Sequence, residues 1–427
     1  MGTVADDSAS AAMKIPLMAD EGGALSYEPG ITTMTFFKGA MDEDVVGGMR
    51  AQFRAVVAAN PWLCGRLENG ASGIEIVHPS SPSEDEVDKL CLVVTDDATC
   101  PVLSQQYDTT CRALYAAEPG KYVVPMGYNL VGTGLPLVRL ALCKRPGAQD
   151  EFAVLFSVTH AIVDGHTYYD LYRMLEPGAA VRSLPATRVM EFPESMRDMV
   201  GREEMAFGET CDSGCLMCCM FGCPCCAPGP AKSYAFYVDP ERVAEFKDRA
   251  MSEEGGVEFV STNDVLTSGF FRACETRVGF MGFDCRGRMD GIEQDMAGNY
   301  VTALVLDRET FKTPVTLRKV LQSRPYKTTG EPLPTCCGGI MCGDNASMGM
   351  VTNWSSFAGD LIGIPGCEMA LHLPVQNPDY ISDTCIPFMA APGELAVLCW
   401  SVKADEAKLR ERLPVGKSLR TELFPSV

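Results

Sequence analysis

His160 and Asp164 carry the side chains of this sequence best suited to chemistry, and Gly165 and His166 follow directly. An imidazole with an ordinary pKa of about 6.5 takes and returns a proton near neutrality. Held against an alcohol or an amine it serves as a general base, worth roughly 10²–10⁴-fold in rate. The chain has four histidines, and two of them, His160 and His166, lie in this one turn. The cluster could also hold a metal, with a nitrogen from each ring and an oxygen from Asp164. That would require all three to converge across a helix start, so proton transfer is favoured and no metal is expected. His78 and His372 stand in no partner pattern and read as structural. His166 reads as a helix-start residue rather than a second base.

The flanking residues say how the pair is held. Phe152 to Val158 is uncharged and rich in Phe and Val, which predicts a buried strand. Beyond Gly165, the spacing Tyr168, Leu171, Tyr172, Leu175 is the stripe of an amphipathic helix. His160 therefore stands where a core strand ends, at the mouth of a sheet. Asp164 stands at the helix entrance, where a carboxylate caps free N–H groups and suits the macrodipole. Gly165 is expected to permit a tight turn in which a side chain would clash. Upstream, Met49, Phe53, Val56 and Val57 form a helical stripe that Asn60-Pro61 should stop. Downstream, a strand is expected over Ser233–Val238, with helices over Pro240–Met251 and Thr262–Glu275. Strands over Val278–Phe283, Tyr300–Leu306 and Glu394–Val402 and a helix over Ala404–Leu413 complete the second half. Alternating strands and helices indicate α/β layers.

The spelling His160-x-x-x-Asp164-Gly165 resembles the signature of the chloramphenicol-acetyltransferase-like superfamily. That superfamily includes BAHD acyltransferases, trichothecene-type acetyltransferases, wax ester synthases and condensation domains of peptide synthetases. Four further segments resemble it in family order: Met49–Leu67 with its Asn60-Pro61 turn, Ser261–Ala273, Asp284–Met289 followed by Gly298-Asn299-Tyr300, and Val351–Phe357, similar to a strand. The sequence departs where a BAHD enzyme carries Asp-Phe-Gly-Trp-Gly, having Asp360-Leu361-Ile362-Gly363-Ile364, and it has Thr159 where condensation domains have a second histidine. The resemblance implies an α/β fold of two chloramphenicol-acetyltransferase-like domains, each a mixed sheet flanked by helices, with an active-site tunnel at their interface. It implies a CoA-dependent O- or N-acyltransferase in which His160 is the general base and Asp164 turns away from substrate to pair with an arginine. Arg286 is the candidate for that arginine, and Asn353, Trp354 and Ser355 are carried over as substrate or oxyanion contacts. Acyl-CoA is then a co-substrate, no cofactor is bound permanently, and the partner is a small hydroxyl or amine acceptor. Two alternatives stand beside it: condensation of a carrier-bound thioester, and a non-catalytic binding protein of the same fold.

Length and charge bound the rest. The 427 residues suit two domains of roughly 200 each. An N-terminal domain over 1–190, a crossover linker over 191–232 and a C-terminal domain over 233–427 are expected. A net charge of −20 excludes the basic face that nucleic-acid binding needs. It also works against capture of an anionic thioester, which would have to meet a local basic patch drawn from Arg286, Arg288, Lys312, Arg318 and Lys319. The acidic Met1–Asp7 run offers no secretory or transit signal, and Asp6 stands where myristoylation would want Ser or Thr, so a cytoplasmic monomer is expected. Seven of the twenty cysteines fall between Cys211 and Cys226. Three readings compete: a thiolate metal site, a palmitoylated loop giving reversible peripheral membrane association, and a loop of reduced thiols. The last is favoured.

Overall fold

The computed structural model describes residues 12–148, 150–201, 205, 231–323, 326, 348–379, 381 and 383–424. The Cys211–Cys226 cluster lies outside the described residues. Most strands gather in two mixed sheets. The first has five, in the order Glu368–Pro374, Ile31–Lys38, Glu151–Val158, Val138–Cys143, Cys91–Val94, antiparallel except for the last pair. The second has seven: Val301–Asp307, Val278–Asp284, Met348–Val351, Thr384–Ala391, Glu394–Ser401, Lys232–Val238 and Val415–Ser418. Within it Met348–Val351 runs parallel to both of its neighbours. Ala12–Pro16, Gly73–Pro79 and Arg66–Gly70 make a small antiparallel sheet. Helices flank these sheets, so the fold is α/β with mixed sheets, as expected. No described helix is long and apolar enough to cross a membrane.

The strand Ile31–Lys38, second in the first sheet, is covered on both faces and still contains Thr32, Thr33 and Thr35, all fully buried. Buried hydroxyls are tolerated because each finds a partner. Thr32 meets Ser157 at 2.7 Å, while on the opposite face Thr33 and Thr35 meet the hydroxyls of Tyr168 and Tyr172, each at 2.8 Å. Tyr168 and Tyr172 are one turn apart on the helix Gly165–Arg173, so period two in the strand is read against period four in the helix. Tyr168 also donates to the Phe156 carbonyl. The helix that follows Asp164 is thus pinned to the sheet by hydrogen bonds at defined points as well as by apolar burial.

The strand Glu368–Pro374 joins the sheet built from first-half strands, so chain halves and sheets do not coincide there. The segment read as a crossover opens with a helix, Phe192–Val200, whose Phe192, Met196 and Val200 are buried with the core of the second sheet. Several boundaries shift by one or two residues, and two of the shifts have clear local reasons. The helix Thr262–Ala273 stops short of Glu275, which takes a φ of 53° and turns the chain out of the helix. The last helix begins at Glu406 rather than Ala404, because Asp405 caps it through Lys408 N–H. The segment Val351–Phe357 is not a strand throughout. The ladder ends at Val351, and Asn353 Oδ1 accepts from Ser355 N–H and Oγ–H, folding the chain into an Asx turn.

Candidate active site

The strand Glu151–Val158 runs antiparallel to both neighbours, with Val158 opposite Ile31 on one side and Val138 on the other. Thr159 adds one further backbone bond, to the Leu137 carbonyl at 3.0 Å, and there the ladder ends. His160 projects from this end, its side chain 17% exposed. Its Nδ1 is buried and has no hydrogen-bond partner among the described residues, while Nε2 lies 3.5 Å from the Glu28 carboxylate.

Asp164 caps the next helix, one oxygen accepting from Thr167 N–H at 2.9 Å. The other oxygen accepts from Arg286 at 2.6 Å and from Tyr300 N–H at 2.9 Å. Both side chains of the ion pair are fully buried. Burying two charges is favourable only when their remaining hydrogen-bonding capacity is met. Here Arg286 also donates to Asp284, to Thr167 Oγ1 and to the carbonyls of Met296 and Gly298, and its guanidinium lies over the Tyr300 ring. Burial alone would lower the Arg286 pKa, but the Asp164 and Asp284 carboxylates outweigh it and raise the value. Asp284 is held below the usual carboxylate range: burial opposes this, and His166 and Arg286 overcome it. The structure therefore brings together Asp164 and Arg286, 122 residues apart, across the junction between the two large sheets.

A second buried ion pair braces the same loop from the other side, and the sequence reading missed it. Arg188 Nε meets both oxygens of Glu21 at 3.0 and 2.9 Å, with both side chains fully buried. The rest of the guanidinium holds the carbonyls of Ala186, Ala297 and Ile162, the last lying inside the motif loop. Glu21 accepts from Asn299 N–H and Nδ2–H, and Asn299 Nδ2–H reaches the His160 carbonyl at 2.8 Å. Gly298 makes room for this, since with φ at 140° a Cβ there would stand 3.1 Å from the Arg188 guanidinium. Its sequence signal was weak: Gly298-Asn299-Tyr300 stood out, but nothing linked it to Glu21 or Arg188.

The other expected residues take different places. Gly165 has no left-handed φ; the reason for glycine is that a Cβ would press against the Phe357 ring at 3.3 Å. His166 turns away from His160, with Nδ1 on Asp284 at 2.9 Å and its ring 5.6 Å from that of Phe357. The two imidazoles and Asp164 thus face separate partners and do not converge on one point. Asn353 Nδ2–H bonds Asn263 Oδ1, Ser355 bonds Asn353, and the buried Trp354 packs edge-on to Tyr169. Arg286 drops out of the candidate basic patch because it is buried. Arg318, Lys312 and Lys319 pair with Asp264, Glu309 and Glu254, and Arg288 lies over the Phe283 ring.

No protein-family model and no curated protein sequence matches the chain. Solved structures do match it. TRI101 of F. graminearum, complexed with coenzyme A and deoxynivalenol, is similar at a TM-score of 0.58 and 14% identity, over 93% of this chain and 96% of that one. The first condensation domain of the calcium-dependent antibiotic synthetase, in complex with a substrate analogue, gives 0.56 and 14% over 97% of each chain. Polyketide synthase associated protein 5 from Mycobacterium tuberculosis gives 0.56 and 13% over 94% and 97%. The protein has the chloramphenicol-acetyltransferase-like fold over nearly its whole length, and the low identity makes it a divergent instance of that fold.

Proposed function

We propose that the protein is an acyltransferase that moves an acyl group from an acyl-CoA thioester to a small alcohol or amine. The observation that carries this is the mounting of His160. It is an imidazole at a strand end, with Nε2 turned toward Glu28 and its loop clamped between two buried ion pairs. Such bracing fixes a base within the small tolerance that proton transfer in a transition state requires.

His160 Nε2 removes the acceptor's O–H or N–H proton as that atom attacks the thioester carbonyl carbon. The tetrahedral intermediate then expels sulfur, and the imidazolium returns its proton to the leaving thiolate, giving free CoA thiol. Asp164 stays on Arg286 throughout and touches no substrate. Asn353, Trp354 and Ser355 contact substrate on this reading. Coenzyme A in the TRI101 complex supports acyl-CoA as co-substrate. On the same reading the protein works in the cytoplasm as a monomer, its two domains joined by the 191–232 linker.

The test is thiol release from a panel of acyl-CoAs supplied with mixed alcohols and amines. His160→Ala should melt like the parent and lose about 10²–10⁴ in rate. A variant that keeps near-parent turnover would show that His160 is not the base.

A further inference from the structure

The register of the first sheet dictates what lies beside His160. Ile31 is opposite Val158 in an antiparallel pair, so residues just before Ile31 meet residues just after Val158. Glu28 is three before and His160 two after, which places the carboxylate 3.5 Å from Nε2. The approach is tight, because a Cβ at Gly30 would stand 3.0 Å from the Val158 carbonyl. Glu28 is 43% exposed, and no lysine or arginine pairs with it among the described residues. An open carboxylate at the edge of a proton-transfer site is costly once a substrate closes over it, since a charge stripped of water must find a partner.

The residue before Glu28, Tyr27, belongs to an aromatic pair. Tyr27 and Tyr128 stack with centroids 4.8 Å apart, and both are among the few large apolar side chains left exposed. They are fixed next to the His160 loop by the turn Gly127–Asn129. A Cβ on Gly127 would stand 2.6 Å from that of Ala161 and 3.2 Å from Ser26 Cα, so the turn seats directly on both segments. Glu28 directly follows Tyr27 in the chain, and a carboxylate on the same short segment as an exposed ring favours an organic cation, through a charge-assisted hydrogen bond and the ring quadrupole.

We propose that Glu28 and the Tyr27–Tyr128 stack form an acceptor subsite beside His160 that selects an organic ammonium, so that the acceptor is an amine; this rests on the acyl-transfer reading of His160. The ammonium docks on Glu28 and gives its first proton to solvent. The resulting amine nitrogen then forms the new bond to the thioester carbonyl carbon and passes its second proton to His160. The carbon–sulfur bond breaks, and that proton leaves with the CoA thiol, so the products are an amide and free thiol.

Two measurements with a matched pair, 2-phenylethylamine and 2-phenylethanol, test this. Calorimetric binding should favour the amine. Glu28→Gln should weaken the amine about tenfold, as expected for one charge-assisted bond, and leave the alcohol within about twofold. Tyr128→Ala should weaken the amine by about threefold or more, in line with a cation–π contact. Thiol release from acetyl-CoA with the same pair reports the reaction separately. Equal losses for amine and alcohol, or no preference in the parent protein, would overturn the subsite while leaving acyl transfer intact. Glu28-dependent amine binding with no thiol release from any acceptor would uphold the subsite and sink the acyl-transfer reading.

Discussion

Replacing Asp164 by asparagine tests the brace rather than the base. Asparagine keeps the capping oxygen and nearly the same shape, so the helix start survives. What it removes is the charge opposite Arg286, a guanidinium buried with its partner. Leaving a buried charge wholly unpaired costs about 3–5 kcal/mol, and the loss here is smaller because Asp284 stays on Arg286 at 3.1 Å. Asp164→Asn should therefore lower the denaturation midpoint, with Asp284 left as the one carboxylate on Arg286. If the variant melts like the parent yet has no activity, Asp164 acts on substrate and the structural role is wrong. Among the carboxylates of the site, Asp164 is sealed away to hold shape and Glu28 is open to what arrives.

Among the elements, the helix Gly165–Arg173 sets the site, and His372 on the neighbouring strand is part of its seat. The buried His372 ring meets Thr35 at 2.9 Å and the hydroxyls of Tyr169 and Tyr172 at 3.1 and 3.3 Å. Burial pushes its pKa down from the ordinary 6.5 to about 3. Above pH 6.5 the ring is neutral folded or unfolded and contributes no pH dependence. As pH falls below that value the unfolded chain gains a proton that the fold refuses, so stability drops by about 1.4 kcal/mol per pH unit until about pH 3. Denaturant titrations between about pH 6 and pH 4 should show His372→Asn with a slope shallower by one proton. Parallel slopes would show that the folded protein accepts the charge. Much of this element was readable in advance, since the Tyr168-Leu171-Tyr172 stripe and the Asp164 cap are local signals. The Asp164–Arg286 pair was legible only through the family resemblance. Glu21, Arg188 and Glu28 were not legible, because their roles depend on strand register and on contacts across 167 or 132 positions of chain. The mutual hydrogen bonds of Asn353 and Ser355 follow from a turn that periodicity does not encode.

At the scale of the molecule, the strand Glu368–Pro374 ties the late chain into the early sheet. Its partner Ile31–Lys38 pairs along nearly its whole length, from Thr33 to Lys38, with the crossing strand. A fragment ending at residue 200 would leave that strand as an open edge, a template for pairing with other chains. Such a fragment should be insoluble or molten, and co-expression with residues 231–427 should restore solubility and near-ultraviolet dichroism. A fragment 1–200 that is soluble and cooperatively folded would show that the crossing strand is dispensable.

The crossing strand also sets a schedule. Ribosomes add about 5–20 residues per second, so roughly twenty seconds to a minute separates the emergence of Ile31–Lys38 from that of Glu368–Pro374. For that interval the nascent first sheet has its second-to-last strand in place and its border missing. The threonines that later bond Tyr168 and Tyr172 can already do so, but the hydrogen-bonding edge facing the absent strand stays bare. Cellular yield is then governed by how well that edge is shielded during synthesis, by chaperones or slow local translation. A substitution that leaves the finished protein fully stable can still lower its abundance.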